Sequence, residues 1–224
     1  MLKAIFYKEW IKTRWYFLLA LALSLSLSTY CVVRLSRAME VQGGAKHFWE
    51  MMIQRDVVFI DLLQYMPLLI GTVWALVQFV PEMHHKCLKL TLHLPYSQLK
   101  MTMAMLLSGF VLLTICFTTN FILLGIYFSN HFAFELVRNV LVTALPWYLA
   151  GLTAYLLVSW LCLEPTWKRR VVNGLLSLFF LRIFFLSNTP QAYTAFIPYL
   201  VVAFFLLFPL TWHSIIRFKE GKQD

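Results

Sequence analysis

Long uncharged stretches of apolar side chains alternate along the chain with short segments that carry the charges. The first stretch, residues 15–33, contains nineteen residues without a charge, close to the roughly 20 residues that a helix needs to cross a bilayer. The last stretch is too long for one crossing, and a polar cluster around Pro190 divides it. The pattern predicts six transmembrane helices, at residues 15–33, 62–80, 101–128, 139–162, 171–187 and 195–213.

The composition supports the same fold class. Of the 224 residues, 61% are hydrophobic and only 13% are charged, and the mean hydropathy is +0.73. A soluble domain is about half apolar and about a quarter charged, so the composition excludes an ordinary soluble protein. We find no internal repeat and no second domain. We therefore predict an all-α, polytopic membrane protein whose single transmembrane domain covers residues 1–224.

The net charge of +9 would suggest nucleic-acid binding in a soluble protein. Here its distribution follows membrane topology. If the N-terminus lies in the cytoplasm, thirteen Lys and Arg residues fall in cytoplasmic segments and five in outer loops. Positive residues concentrate on the cytoplasmic side of membrane proteins. We therefore predict a multi-pass protein with both termini in the cytoplasm, and nucleic acid is not needed to explain the charge.

The segment before the first predicted span has its own pattern. Within residues 1–14, Phe6 and Trp10 lie on one helical arc with Lys8 and Arg14 beside it, although Glu9 interrupts that arc. This arrangement predicts an amphipathic helix that lies in the inner membrane interface before the chain turns into the first span. The alternative is a basic flank that only fixes the orientation of the span.

The sequence offers little that could perform catalysis. It contains no phosphate-binding loop, no dinucleotide fingerprint, no zinc-protease motif and no nucleophile elbow. We therefore predict that this chain is not an enzyme and holds no cofactor. His84, His85 and His93 with Cys87 could form a metal site, but a basic, solvated loop explains them equally well, and we predict no metal.

Polar groups inside the predicted spans are few. Asn120 lies midway along the third span and Arg182 lies within the fifth. Both are candidates for a substrate path, because polar residues in the membrane often mark one. The alternatives are that Asn120 packs one helix against another and that Arg182 extends to the outer headgroups.

The connection between the second and third spans, residues 81–100, is unusually rich in leucine. Leucines that alternate from Leu88 to Leu94 would be exposed to water unless they met a membrane or another protein. The segment therefore predicts a docking element. The alternation also allows a strand, and periodicity alone does not decide between strand and helix.

At this connection the sequence resembles the permeases of type-2 ATP-binding-cassette exporters. These carry a Glu after the second span and then a run similar to T-L-x-L-L-L-S-L-P-x-S. Glu82 and the segment 87–97 match in the leucines, the proline and the serine, whereas Cys87, Thr91 and His93 depart from the commonest residues. Lys86 replaces a glycine that is frequent there. The opening residues 6–10 with Arg14, and the short fifth span before a proline-bearing stretch, are also similar to the family.

The resemblance implies that residues 81–100 form a cytoplasmic coupling helix that docks on a separate ATPase subunit, which binds ATP and Mg. Leu88 and Leu92 would be buried in that subunit, and Lys86 and Lys89 would pair with its acidic rim. The residues assigned to coupling in this way are Glu82, His85, Lys86, Leu88, Lys89, Leu92, Pro95 and Ser97.

The resemblance also implies a second permease subunit, identical or related, that pairs with the first in the inner membrane of a bacterial cell and exports a substrate. Two alternatives stay open. One is a membrane scaffold or assembly partner that transports nothing. The other is a membrane-bound enzyme that acts on lipid.

Overall fold

The computed structural model describes residues 2–41, 63–84, 97–187 and 189–219. These ranges fold into α-helices joined by turns and short 3₁₀ segments, without a β-strand among them. The predicted all-α class is therefore confirmed for the described residues. The helices, in chain order, are α1 Leu2–Val41, α2 Met66–His84, α3 Gln98–His131, α4 Phe134–Leu163, α5 Trp167–Arg182, α6 Ile197–Phe205 and α7 Phe208–Lys219.

Five segments of the described chain are helical, long and apolar enough to cross a membrane. They comprise most of α1, the whole of α2, α3 and α4, and a fifth segment, Ile197–Phe218, in which α6 and α7 follow each other with a short turn at Leu206 and Leu207. These helices are compatible with a membrane protein. The predicted fifth span, 171–187, corresponds to α5, whose 16 residues extend only about 24 Å, less than the roughly 30 Å hydrocarbon core.

Helix α1 differs from the prediction for the N-terminus. The structure has no turn between residues 1–14 and the first span: one helix of 40 residues continues through both. Its length of about 60 Å is twice the thickness of the hydrocarbon core. The prediction placed a turn there because Lys12 and Arg14 end the uncharged window, but charged residues do not by themselves break a helix.

The helix ends that border the predicted loop 81–100 also differ from the prediction. Helix α2 continues through Pro81 to His84, and α3 begins at Gln98. The charge of Glu82 suggested a loop, yet Glu82 is buried within the helix because lysines of α1 neutralise it. Residues 85–96, which contain the alternating leucines, lie outside the described residues.

Two helix pairs form the centre of the bundle: α2 packs against α4, and α1 packs against α3. At the first contact, a Cβ on Gly71 would overlap the carbonyl oxygen of Gly151, so the two backbones approach as closely as glycine allows. Small residues serve this purpose between membrane helices. Many large apolar side chains point away from the bundle, including Leu19, Val73 and Ile122.

Candidate functional site

The largest buried group of polar side chains joins three helices directly. It comprises Lys8, Glu9 and Lys12 of α1, Gln78 and Glu82 of α2, and Tyr155 of α4. We call this group the four-helix polar cluster, because it also binds the backbone of α3. It lies at the start of α1 and α3 and toward the end of α2 and α4.

The charges of the cluster balance. Lys12 Nζ lies 2.9 Å from Glu9 Oε2 and 2.9 Å from Glu82 Oε1, and Lys8 Nζ lies 3.0 Å from Glu82 Oε1. The carboxylates are almost completely buried, with 1% and 3% of their surface exposed, while the side chains of Lys12 and Lys8 are 22% and 42% exposed. A buried carboxylate is costly unless it is paired and hydrogen-bonded, so the two lysines are what allows both acids to enter the bundle.

Gln78 extends the cluster into the neutral interior. Its Nε2 donates to Glu9 Oε2 at 3.0 Å and to the carbonyl oxygen of Met105 at 2.8 Å. Its Oε1 accepts from the hydroxyl of Tyr155 at 2.9 Å, and the same hydroxyl lies 3.0 Å from the carbonyl oxygen of Leu106. The side chains of Gln78 and Tyr155 are fully buried. The charged end of the cluster is therefore connected to α3 and α4 by hydrogen bonds.

The space for these two side chains comes from Gly109 of α3. A Cβ at this position would overlap both Gln78 Oε1 and the Tyr155 hydroxyl. Gly109 is therefore required sterically rather than for a special backbone conformation.

Two of the predicted coupling residues are described. Glu82 belongs to the cluster, two residues before α2 ends. Ser97 is exposed at the start of α3 and makes no capping hydrogen bond with its side chain. The other six, His85, Lys86, Leu88, Lys89, Leu92 and Pro95, lie outside the described residues, as do His93 and Cys87 of the rejected metal site. The described residues contain no group of three or more His, Cys, Asp or Glu that could hold a metal.

The predicted interfacial residues separate into two sets. Lys8 and Glu9 enter the polar cluster. Phe6, Trp10 and Arg14 are exposed, and the Arg14 guanidinium lies 5.7 Å from the centre of the Trp15 ring. Glu9, which interrupted the apolar arc in the sequence, is therefore buried in the bundle, as Ile5 and Thr13 are.

Sequence reasoning did not select Lys12, Gln78 or Tyr155. One signal was present: Lys8 and Lys12 are four residues apart, and so are Gln78 and Glu82. Residues at this spacing share one face of a helix. Two such faces, one cationic and one polar-acidic, are complementary.

A second buried ion pair connects the ends of α4 and α7. Glu164 is 1% exposed, and its carboxylate accepts from Arg217 Nη1 and from Ser214 Oγ, both at 2.6 Å. Its backbone carbonyl accepts from Arg170 Nη2 of α5 at 2.7 Å. We call these residues the Glu164 cluster. It fixes the end of α4, the start of α5 and the end of α7 against one another.

The two candidates for a substrate path lie in different surroundings. Asn120 is fully buried, where its Nδ2 donates to Ser24 Oγ at 2.9 Å and its Oδ1 accepts from Ser28 Oγ at 2.7 Å. It therefore holds α3 to α1. Arg182 is exposed as the last residue of α5, where a cation interacts favourably with the helix dipole.

Two open grooves border α3. One of about 310 Å³ lies between α3 and α4 and is lined by apolar atoms, including those of Phe117, Phe121 and Tyr148. The other, of about 540 Å³, lies between α1 and α3 and includes Thr29 and Asn130. Neither groove is lined by Asn120 or Arg182.

Comparison of the chain with protein-family models, with curated proteins and with solved structures found no match.

Proposed function

We propose that this chain is the membrane-spanning permease subunit of an ATP-driven exporter, and that residues 85–96 transmit movement from a separate ATPase subunit. The observation that carries the proposal is the four-helix polar cluster. Through Glu82 and Gln78 it ties the last two turns of α2 to α1, α3 and α4, directly before this leucine-rich segment. A segment that transmits force needs such an attachment, because a load applied to a fraying helix end would be lost locally.

The contacts support a six-span topology with both ends on one side. The polar cluster brings together the start of α1, the end of α2 and the start of α3 through Lys8, Glu82 and the backbone of Met105. Glu164 and Arg217 bring together the ends of α4 and α7, and Arg170 adds the start of α5. Since α5 begins on this side and α7 ends there, α5 serves as the short outward span and α6 with α7 as the return.

The charge distribution supports assigning that side to the cytoplasm. The helix ends gathered there include Lys8, Lys12, Arg170 and Arg217, and Lys and Arg favour the cytoplasmic side. In this arrangement residues 85–96 face the cytoplasm, where an ATPase would bind ATP and Mg. The sequence has no phosphate-binding loop of its own, which fits this division of labour. A second permease subunit in the same inner membrane would complete the substrate path.

The proposal is tested by purifying the tagged protein in mild detergent from its native host and assaying the complex for ATP hydrolysis. We expect an ATPase with a phosphate-binding loop to be recovered. We expect it to be lost when Leu88 and Leu92 are both changed to Asp, because charge would prevent their burial in the partner. Leu99→Asp is the matched control, since Leu99 is exposed at the start of α3 and follows the proposed coupling segment 85–96.

Recovery of the intact protein alone, under conditions that preserve a known transporter complex, would contradict the proposal. It would favour a membrane scaffold or an enzyme that acts on lipid. Equal recovery of the ATPase with the Leu88 and Leu92 variant would contradict the assignment of the coupling segment.

A further inference from the structure

The middle of helix α5 has its polar side chains inside and its apolar side chains outside. Its buried residues are Asn173 and Ser177. The outward-facing side chains are large and apolar, each between 54% and 79% exposed: Val171, Val172, Leu175, Leu176, Leu178 and Phe179. A continuous apolar face of this kind indicates contact with lipid chains or another apolar surface rather than with water.

The same helix begins with exposed aromatic and cationic side chains. Trp167 is 67% exposed, and Lys168 and Arg169 are exposed beside it. Neither Lys168 nor Arg169 has an ion pair or side-chain hydrogen bond with another residue of the described chain. The next cation, Arg170, donates a hydrogen bond to the backbone carbonyl of Glu164. Its guanidinium lies 5.0 Å from the centre of the Trp167 ring. We call Trp167, Lys168 and Arg169 the basic patch.

Helix stability does not account for these cations. The first turn of α5 contains no acidic residue, and cations at a helix N-terminus are disfavoured by the helix dipole. Adjacent like charges also repel each other. The charges are therefore placed where a negative partner outside the described part of the chain would offset both effects.

The order of side chains identifies the partner. Tryptophan and cations come first and a lipid-facing apolar surface follows directly, which matches the order of headgroup and hydrocarbon in one leaflet. We propose that the basic patch binds the phosphate of an anionic phospholipid whose acyl chains lie along the exposed face of α5. The glycerol phosphate would accept from Lys168 and Arg169 while Trp167 occupies the interface. This site does not depend on the proposed transport function.

The test is a lipid titration of the full-length protein in detergent, followed by native mass spectrometry. Dioleoyl phosphatidylglycerol and dioleoyl phosphatidylcholine are compared, because they differ in charge and share acyl chains. We expect the wild-type protein to prefer phosphatidylglycerol. The double variant Lys168→Gln/Arg169→Gln should bind it roughly 30-fold more weakly, since each cation near an anionic lipid surface contributes about a factor of five.

The matched control is Arg34→Gln/Arg37→Gln, which removes two exposed cations near the C-terminal end of α1. This variant should keep the preference for phosphatidylglycerol. Lys168→Arg/Arg169→Lys should also retain it, because the charge is preserved. Thermal unfolding of each variant confirms that the fold is kept.

The proposal would be overturned if the Gln variant kept the wild-type preference, or if the control lost as much. Absence of any preference in the wild-type protein would also overturn it. That result would favour an acidic protein surface as the partner of the patch, and it would leave the proposed transport function untouched.

Discussion

The two buried charge clusters in the described part of the chain neutralise their carboxylates in different ways. In the Glu164 cluster, one carboxylate accepts from one guanidinium and from two hydroxyls, those of Thr166 and Ser214, and Arg217 is almost completely buried. In the four-helix polar cluster, two carboxylates share two lysines that are partly exposed. Arginine is a rigid planar donor, whereas lysine is a flexible point charge. The first cluster fixes one geometry, while the second can exchange partners without leaving an acid unpaired.

The largest effect should come from breaking the Glu164 cluster. Arg217→Leu leaves the buried carboxylate of Glu164 without its cation, so we expect the free energy of unfolding to fall by about 3–5 kcal/mol. Unfolding monitored by circular dichroism in detergent would measure it. Adding Glu164→Gln to this variant should restore part of the loss. Equal stability of the single and double variants would contradict the view that an uncompensated charge is the cause.

The polar cluster should respond unequally to loss of its two lysines. Lys12 contacts both carboxylates and is mostly buried, whereas Lys8 contacts only Glu82 and is 42% exposed. We expect Lys12→Met to lower the free energy of unfolding by about 2–3 kcal/mol, which is less than for a fully buried pair. Lys8→Met should lower it by less than about 1 kcal/mol. Denaturant titration of both variants would compare them. Equal losses would show that the sharing of Lys12 has no energetic consequence.

A smaller loss should follow from filling the space at Gly109. In Gly109→Ala the new Cβ overlaps Gln78 and Tyr155, so we expect a destabilisation of about 1–3 kcal/mol, as for other overpacked sites. Gly125→Ala is the matched control in the same helix, because its Cβ would meet only Leu141 Cδ1, at 3.9 Å. The control should be neutral or more stable by up to about 1 kcal/mol. Thermal unfolding of the two variants side by side tests the contrast.

The smallest effect should come from removing one hydroxyl. Tyr155→Phe keeps the packing but leaves Gln78 Oε1 without its donor. We expect the free energy of unfolding to fall by about 1 kcal/mol. The loss is modest because a hydrogen bond between membrane helices contributes less than this on average. Hydrogen exchange near the end of α2 would also rise if this bond helps to hold that end. An unchanged exchange rate would separate Tyr155 from the attachment of α2.

The sequence predicts the helices of this fold better than it predicts their contacts. The uncharged window at residues 15–33 lies within α1, because length and apolarity alone decide whether a segment can cross a membrane. The burial of Glu9 could not be predicted in the same way. It depends on Gln78, 69 positions away, and on how α1 is rotated against α2. Because each predicted span ended at the nearest charged residue, the prediction placed span boundaries near Arg14 and Glu82. In the structure the helices continue through both residues.

The unbroken length of α1 gives it the mechanics of a lever. The contact of Ser24 and Ser28 with Asn120 lies near its midpoint, Lys8 and Lys12 lie in one arm, and Ser36 holds the other arm to Tyr127 at 2.6 Å. At 1.5 Å per residue, the arm toward the start of α1 is about 36 Å long and the other arm is about 22 Å long. A tilt of about 5° around this fulcrum moves each tip by roughly 2–3 Å, in opposite directions. Under the proposed coupling, a pull on the end of α2 that reached Lys12 would move the far end of α1 in the opposite direction.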